Sequence, residues 1–246
     1  MIDIHSHILP NIDDGSSSVE ESLDMIRMAI DNGVTTQVLT PHIHHGRFNN
    51  TKQDLEQKFE QFRETVDQAN LNINLLLGAE VRIGHEIMAM IKNNSLPWIG
   101  ECQQQKTFLL EFPRHDIPFG SENLVRWALS NHCLPIIVHP ERNKTFINHP
   151  EKLQVLLDLG CPIQLTACSL TGKFGDDVQK FSEQLLIDNK VSAIASDCHN
   201  LKGRKPDLRQ GFEHAKSIIG EEKADTLVNL IPSTLINNNK YINLES

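Results

Sequence analysis

The chain has 246 residues, of which 39% are hydrophobic, 22% charged and 5% aromatic, enough apolar material for a sizeable globular core. Twenty-three Lys and Arg face 32 Asp and Glu, a formal net charge of -9, which disfavours binding along a nucleic-acid backbone and makes any anionic substrate depend on a local positive centre. Five cysteines without a CxxC pair do not make a disulfide framework, and neither a leader pattern after Met1 nor an apolar run near ~18 residues is present, so a cytoplasmic protein without membrane insertion is expected.

The first β-type run covers residues 1–4. A helix follows, with Ser18 and Glu21 as a capping box ahead of Leu23, Ile26 and Ile30, and Gly33 as its stop. The second strand is expected at 36–40. Leu55, Phe59, Phe62, Val66 and Ala69 then repeat at helical spacing, one stripe of that helix facing a core. Strands at 73–77, 107–112, 136–138 and 163–165 come next. A helix whose core stripe is Val178, Phe181 and Leu185 leads to a seventh strand at 192–195. Residues 103–105 and 237–239 read as solvated loop and tail. Strands alternating with helices without a linker or repeat predict one domain, 1–246, of βα units around a parallel sheet or barrel.

The chemistry lies in twelve histidines and where they fall. His5 and His7 follow the first strand as His-Ser-His, and in an extended segment both imidazoles project to one side. Later strand ends, except the sixth, deliver further candidates: His42 after Thr40-Pro41, Glu80 after Gly78-Ala79, Glu111, His139, and Asp197 with His199. Asp14 joins from the loop after the first strand. Parallel strands bring their ends to one face, where active sites are built. Burying Asp14, Glu80, Glu111 and Asp197 together would force strong pKa shifts or repulsion unless cations are bound. A mixed imidazole and carboxylate set without thiolates suits Mn²⁺, Fe²⁺ or Zn²⁺, and nine ligands are too many for one ion. Two or three ions are expected, with Glu80 or Asp197 bridging. Three divalent cations against four carboxylates leave a formal charge of about +2, a match for a phosphate dianion. Arg142 and Arg204 lie beside ligands and carry forks that fit phosphate oxygens; Arg47 and Arg82 are weaker candidates. His44 and His45, in the polar loop 43–50, stand at the rim of the expected site, whereas His85, His115, His132, His149 and His214 have no such neighbourhood.

The opening Met1-Ile2-Asp3-Ile4-His5-Ser6-His7-Ile8-Leu9-Pro10, followed by Asp13-Asp14-Gly15, resembles the start of the PHP (polymerase and histidinol phosphatase) superfamily, and more narrowly the bacterial capsule-type tyrosine-protein phosphatases. Thr40-Pro41-His42, Gly78-Ala79-Glu80, Leu110-Glu111-Phe112-Pro113, His139-Pro140-Glu141-Arg142 and Ala195-Ser196-Asp197-Cys198-His199-Asn200 follow in the family's order across nearly the whole chain. The resemblance implies a distorted (β/α)7 barrel of the PHP type with a trinuclear site, usually activated by manganese (Fe²⁺, Co²⁺ or Zn²⁺ being alternatives). It makes His5, His7, Asp14, His42, Glu80, Glu111, His139, Asp197 and His199 the ligands, and Arg142 and Arg204 the phosphate contacts. It also implies a substrate: phosphotyrosine on the tail of an autophosphorylating tyrosine kinase of capsule or exopolysaccharide export.

The expected reaction is attack on phosphorus by water whose pKa the ions lower toward ~7. Cys198 to Arg204 also fits the C-x5-R pattern of thiol-dependent phosphatases, but His199 is already a candidate ligand and a single Gly offers few backbone donors. The rival functions are a histidinol-phosphate or other small-molecule phosphatase, a metal-dependent amidohydrolase, and a non-catalytic metal-binding module. Amidohydrolases commonly offer a lysine where this chain has Glu111.

Overall fold

Ten short strands carry the sheet structure in a computed structural model that describes residues 1–242. In chain order they are β1 (Ile2–Asp3), β2 (Thr36–Leu39), β3 (His42–Ile43), β4 (Asn74–Leu77), β5 (Glu80–Arg82), β6 (Gly100–Cys102), β7 (Gln105–Glu111), β8 (Cys133–Val138), β9 (Ile163–Thr166) and β10 (Ala193–Ala195). All ladders are parallel except the β6–β7 hairpin. One sheet runs β1-β2-β4, and the other runs β10-β9-β8-β7-β5-β3 with β6 on β7. The centre of the larger sheet is buried on both faces: every residue of β8 and β9 is buried, as a parallel sheet covered by helices requires. Pro135 lies inside β8, opposite Phe108 of β7.

The seven expected strands form with shifted edges, and two of them continue past a break. Pro41, which has no N–H to donate, separates β2 from β3, and Gly78-Ala79 separates β4 from β5. Backbone bonds carry the pairing across both breaks, Gly78 N–H to Leu39 O at 2.9 Å and Glu80 N–H to Pro41 O at 3.2 Å. Candidate ligands His42 and Glu80 therefore begin new strands and are paired with each other in register. At the sheets' other margin, Ser6 and Cys198 form a single parallel bridge, with His7 N–H bonded to Cys198 O and Asp197 N–H to His5 O, both at 2.9 Å.

Helix Val19–Asp31 starts at Ser18, whose Oγ accepts from Glu21 N–H at 3.1 Å. The expected reciprocal bond is displaced by one residue: the Glu21 carboxylate accepts from Ser17 N–H and Oγ–H. The stripe of helix Lys52–Gln68 is core at Leu55, Phe59, Phe62 and Val66, with Ala69 at the C-cap. In helix Asp176–Ile187 Leu185 is buried and Phe181 only partly so, while Val178 departs from the expected core role and lines a cavity.

Of the two regions expected to be solvated, Gln103, Gln104, Asn237 and Asn238 are exposed, whereas Gln105 and Asn239 are built into the fold. Gln103 (φ 49°) and Gln104 (φ 66°) make the two-residue turn that sets β6 against β7, and Gln105 already belongs to β7. Asn239 is buried. Its amide donates to Leu77 O at 3.1 Å and Ile99 O at 2.8 Å and its oxygen accepts from Tyr241 N–H at 2.9 Å. Asn239→Ala strands those carbonyls in a buried setting and is expected to cost about 2 kcal/mol in urea denaturation. The exposed neighbour Asn237→Ala should stay within about 0.5 kcal/mol of the parent.

Candidate metal centre

Three groups of ligand atoms form where the strands end, each with its atoms within 4.8 Å of one another: His5, His7, Glu80 and Asp197; His42, Glu80 and Glu111; and His7, Asp14, His42 and His199. Glu80, His7 and His42 each belong to two groups, so the three are one connected cluster. Nε2 of His5 lies 3.3 Å from Glu80 and 3.4 Å from Asp197, and Nε2 of His7 lies 3.2 and 3.4 Å from the same carboxylates. His42 faces Glu80 with Nδ1 at 3.0 Å and Asp14 with Nε2 at 3.3 Å. Eight of the nine expected ligands thus fall into these groups. His139 belongs to none of them but places Nε2 2.7 Å from the second Glu80 oxygen.

The sequence builds this geometry locally. Gly15 turns the loop back against His7 so closely that a Cβ there would overlap the His7 carbonyl. His139 (φ 36°) and Asp197 (φ 50°) hold left-handed backbone conformations just beyond β8 and β10, a strain of roughly 1–3 kcal/mol each that clusters at functional sites. Backbone bonds from His139 N–H to Gln164 O and from Asp197 N–H to His5 O hold them there.

Two orienting residues escaped the sequence reading. Gln164 Oε1 is 2.8 Å from His5 Nδ1; an amide oxygen only accepts, so the His5 proton sits on Nδ1 and Nε2 keeps its lone pair for the cluster. Asp13 Oδ2 is 2.7 Å from His7 Nδ1 and also accepts from His42 N–H at 2.9 Å. Gln164 comes from the strand expected to contribute nothing. A period-2 count from Leu165, a core residue, would have aimed Gln164 at the opposite side of β9, and the Asp13-Asp14 pair held the other signal.

Electrostatics report a deficit of positive charge. Burial alone would keep the His7 and His42 rings neutral, yet Asp13 holds His7 well above the ordinary histidine range and Glu80 raises His42 to about 9. Burial, with the charge of Glu80 beside it, pushes Glu111 up to about 7. Burial and Arg142 push His139 down to about 3, and burial and His7 push His199 down to about 4, so both are neutral rings with a lone pair to offer. Glu80 Oε2, Glu111 Oε2 and Asp197 Oδ1 are buried and, although charged nitrogens lie near them, accept no aligned hydrogen bond among the described residues. Orphaned acceptors aimed into one space fit divalent cations, and the oxygen–nitrogen donor set fits Mn²⁺, Fe²⁺ or Zn²⁺.

All four candidate arginines adjoin the cluster: Arg142 and Arg204 on Asp197, Arg82 on Glu111 at 3.2 Å, and Arg47 on Asp14 at 3.2 Å. Arg142 Nη1 is 2.7 Å from Asp197 Oδ2. Of the rim residues, His44 is half-buried and shifted down by burial and by Arg82, whereas His45 is exposed. Phe48 of the same loop stacks on His42 at 5.4 Å. Cys198 is fully buried, and burial raises its thiol well above the ordinary range, the reverse of an activated nucleophile.

A parallel α/β fold with linked carboxylate–imidazole groups, bordered by arginines, defines the class of metal-dependent hydrolases. The chain belongs to the family described as capsular polysaccharide synthesis, CpsB/CapC, whose model matches residues 1–237. It is 33% identical to the tyrosine-protein phosphatase YwqE of Bacillus subtilis (strain 168) over 222 residues, 90% of this chain and 86% of that protein. It is 29% identical to the tyrosine-protein phosphatase CpsB of Streptococcus pneumoniae over 236 residues, 92% and 94% of the two chains. A solved structure from work on these two proteins, described as unique metal-dependent tyrosine phosphatases, superposes with a TM-score of 0.89 at 31% identity, covering 97% of this chain and 95% of that one. An amidohydrolase from Mycoplasma synoviae shares the fold alone, at 13% identity and a TM-score of 0.57, over 100% of this chain and 90% of that one.

Losing the Asp13 carboxylate should weaken metal binding without unfolding the chain. Asp13→Asn is expected to lower the Mn²⁺ affinity measured by calorimetry 10- to 100-fold. An unchanged affinity would show that Asp13 does not orient His7 for a metal.

Proposed function

We propose that the chain is a metal-dependent protein-tyrosine phosphatase that uses manganese, two or three ions, and acts on the phosphotyrosine-bearing tail of a bacterial tyrosine kinase of capsule or exopolysaccharide synthesis. The observation that carries this reading is the connected set of ligand groups sharing Glu80, with Arg142 and Arg204 both on Asp197. His5, His7, Glu80 and Asp197 would hold one ion, His42, Glu80 and Glu111 with His139 a second, and Asp14, His42, His199 and His7 a third. Bound there, the cations would polarise phosphoryl oxygens and acidify a water toward neutral pH.

The chain's own groups do the rest. Arg142 and Arg204, both largely shielded from solvent, present forks to the non-bridging phosphate oxygens, and Asp197 fixes where those forks point. Glu111 and His139 line a cavity of about 210 Å³ beside the cluster, where the ester enters. The leaving tyrosinate has an intrinsic pKa of ~10, so it departs with less proton donation than an alkoxide. A small-molecule phosphatase would share the ligands but should prefer alkyl esters. We also infer a distorted (β/α)7 barrel in one domain: β3 continues β2, β5 continues β4, and the Ser6–Cys198 bridge supports closure between the first and last strands.

Phosphotyrosyl peptide, phosphoseryl peptide and histidinol phosphate are the substrates to compare after chelation and readdition of Mn²⁺. Phosphotyrosyl hydrolysis should vanish with chelator and return with the metal, and it should exceed the other two. Arg142→Ala should lower kcat/KM on it roughly 100- to 1,000-fold, as the loss of a donor to a developing oxyanion does. Cys198→Ser should remain metal-dependent and active. Chelator-resistant activity with a dead Cys198→Ser would establish thiol chemistry instead.

A further inference from the structure

The cavity beside the cluster has an uneven lining. Beside the polar Glu111, His139, Arg142 and Arg204, with Arg114 and Asn143, its lining carries the apolar Phe112, Pro140, Phe174 and Val178. Apolar rings and a β-branched side chain are not needed to hold phosphate, which the arginines already match. Phe112 is buried and braced edge-on by Phe146 at 5.4 Å, so its wall is rigid. Val178 occupies a position in the stripe of helix Asp176–Ile187 that should be core, yet it lines this cavity.

Phe174 is the least expected member. It stands on the turn between helices Ala167–Leu170 and Asp176–Ile187, half-buried, with the Arg142 guanidinium 5.0 Å from its ring centroid. Gly175 (φ 96°) follows it and lets the chain enter the next helix in a backbone conformation closed to most residues. The helix that leads into this turn is tied to the Arg142 segment: Glu141 is fully buried, and its Oε1 accepts from Ser169 Oγ–H at 2.6 Å and Thr166 N–H at 3.0 Å. The phosphate-binding arginine and the phenyl ring are thereby set on one frame.

We propose that Phe174, with Phe112, Pro140 and Val178, forms a slot for the aromatic ring of an aryl phosphate, and that Phe174 is the residue that makes the site prefer phosphotyrosine to alkyl phosphates. This deepens the phosphatase reading above and rests on it. The whole cavity, its charged part included, is about 210 Å³, more than the roughly 150 Å³ of an apolar cavity that accepts benzene. A phosphoseryl side chain has one methylene with which to fill the slot; a phosphotyrosyl ring covers its apolar walls and meets Phe174 as an aromatic partner.

Calorimetric binding of phenylphosphonate and methylphosphonate to the manganese-loaded full chain tests this without turnover. The parent should bind phenylphosphonate more tightly than methylphosphonate. Phe174→Ala should cut that preference roughly tenfold, and Phe174→Trp should keep it. If both ligands weaken together in Phe174→Ala, the ring acts only by steadying Arg142 and the slot is refuted; the slot is also refuted if neither changes or if the parent shows no preference. Phosphotyrosyl hydrolysis by the parent, measured alongside, separates the two levels. Activity without a ring preference overturns only the slot, whereas absence of activity overturns the phosphatase reading beneath it.

Discussion

Like charges crowded where water is scarce are the constraint on which this structure turns. Glu80 and Asp197 are almost completely buried within a few ångströms of His5 and His7, with Glu111 and Asp14 adjoining through His42. Ionised carboxylates in such a place cost far more than any packing gain unless positive charge compensates them. In the protein alone that compensation comes from arginines and from protons: His7 and His42 held charged, Glu111 pushed towards neutrality, and Arg142 and Arg204 drawn onto Asp197. The protons on His7, His42 and Glu111 are what bound cations would replace, while Arg142 and Arg204 stay on Asp197, which ties the electrostatics of the cluster to its chemistry.

The rest of the fold serves to keep that cluster in place. Parallel strands deliver their ends to one face, and the breaks at Pro41 and Gly78 set His42 and Glu80 beside each other. Gln164 and Asp13 fix the proton-bearing nitrogens of His5 and His7, leaving the other nitrogens to the centre. Below them, Asp3 is wholly buried and one of its oxygens accepts from both His5 N–H and Ser196 N–H, linking the first and last strands beneath the site. The geometry of the candidate ligands thus depends on buried polar groups behind them, an arrangement common in metal sites.

Much of this was legible in the chain, for a physical reason. Residues at the ends of parallel strands converge regardless of sequence separation, so His5, His42, Glu80, Glu111, His139 and Asp197 could be gathered without coordinates. The same was true of the helix stripe from Leu55 to Val66. What escaped depends on tertiary context. Asn239 looks like a polar tail until Leu77 and Ile99 offer it carbonyls, and Val178 fits a core stripe until the cavity beside Arg142 appears. The capping box missed by one residue because Ser17 offered Glu21 two donors where Ser18 would have offered one. Continuation of β2 and β4 past their breaks is a pairing event between segments, which periodicity within either segment does not encode.

The proposed phosphatase requires these side chains to hold more than one divalent ion in a single shared cluster. Crystals of the chelated chain, reloaded with manganese and measured at the manganese absorption edge, test it directly. Two or three anomalous peaks are expected, enclosed by His5, His7, Asp14, His42, Glu80, Glu111, His139, Asp197 and His199, with Glu80 touching more than one. A single peak, or peaks lying elsewhere on the molecule while this cluster stays empty, would contradict it.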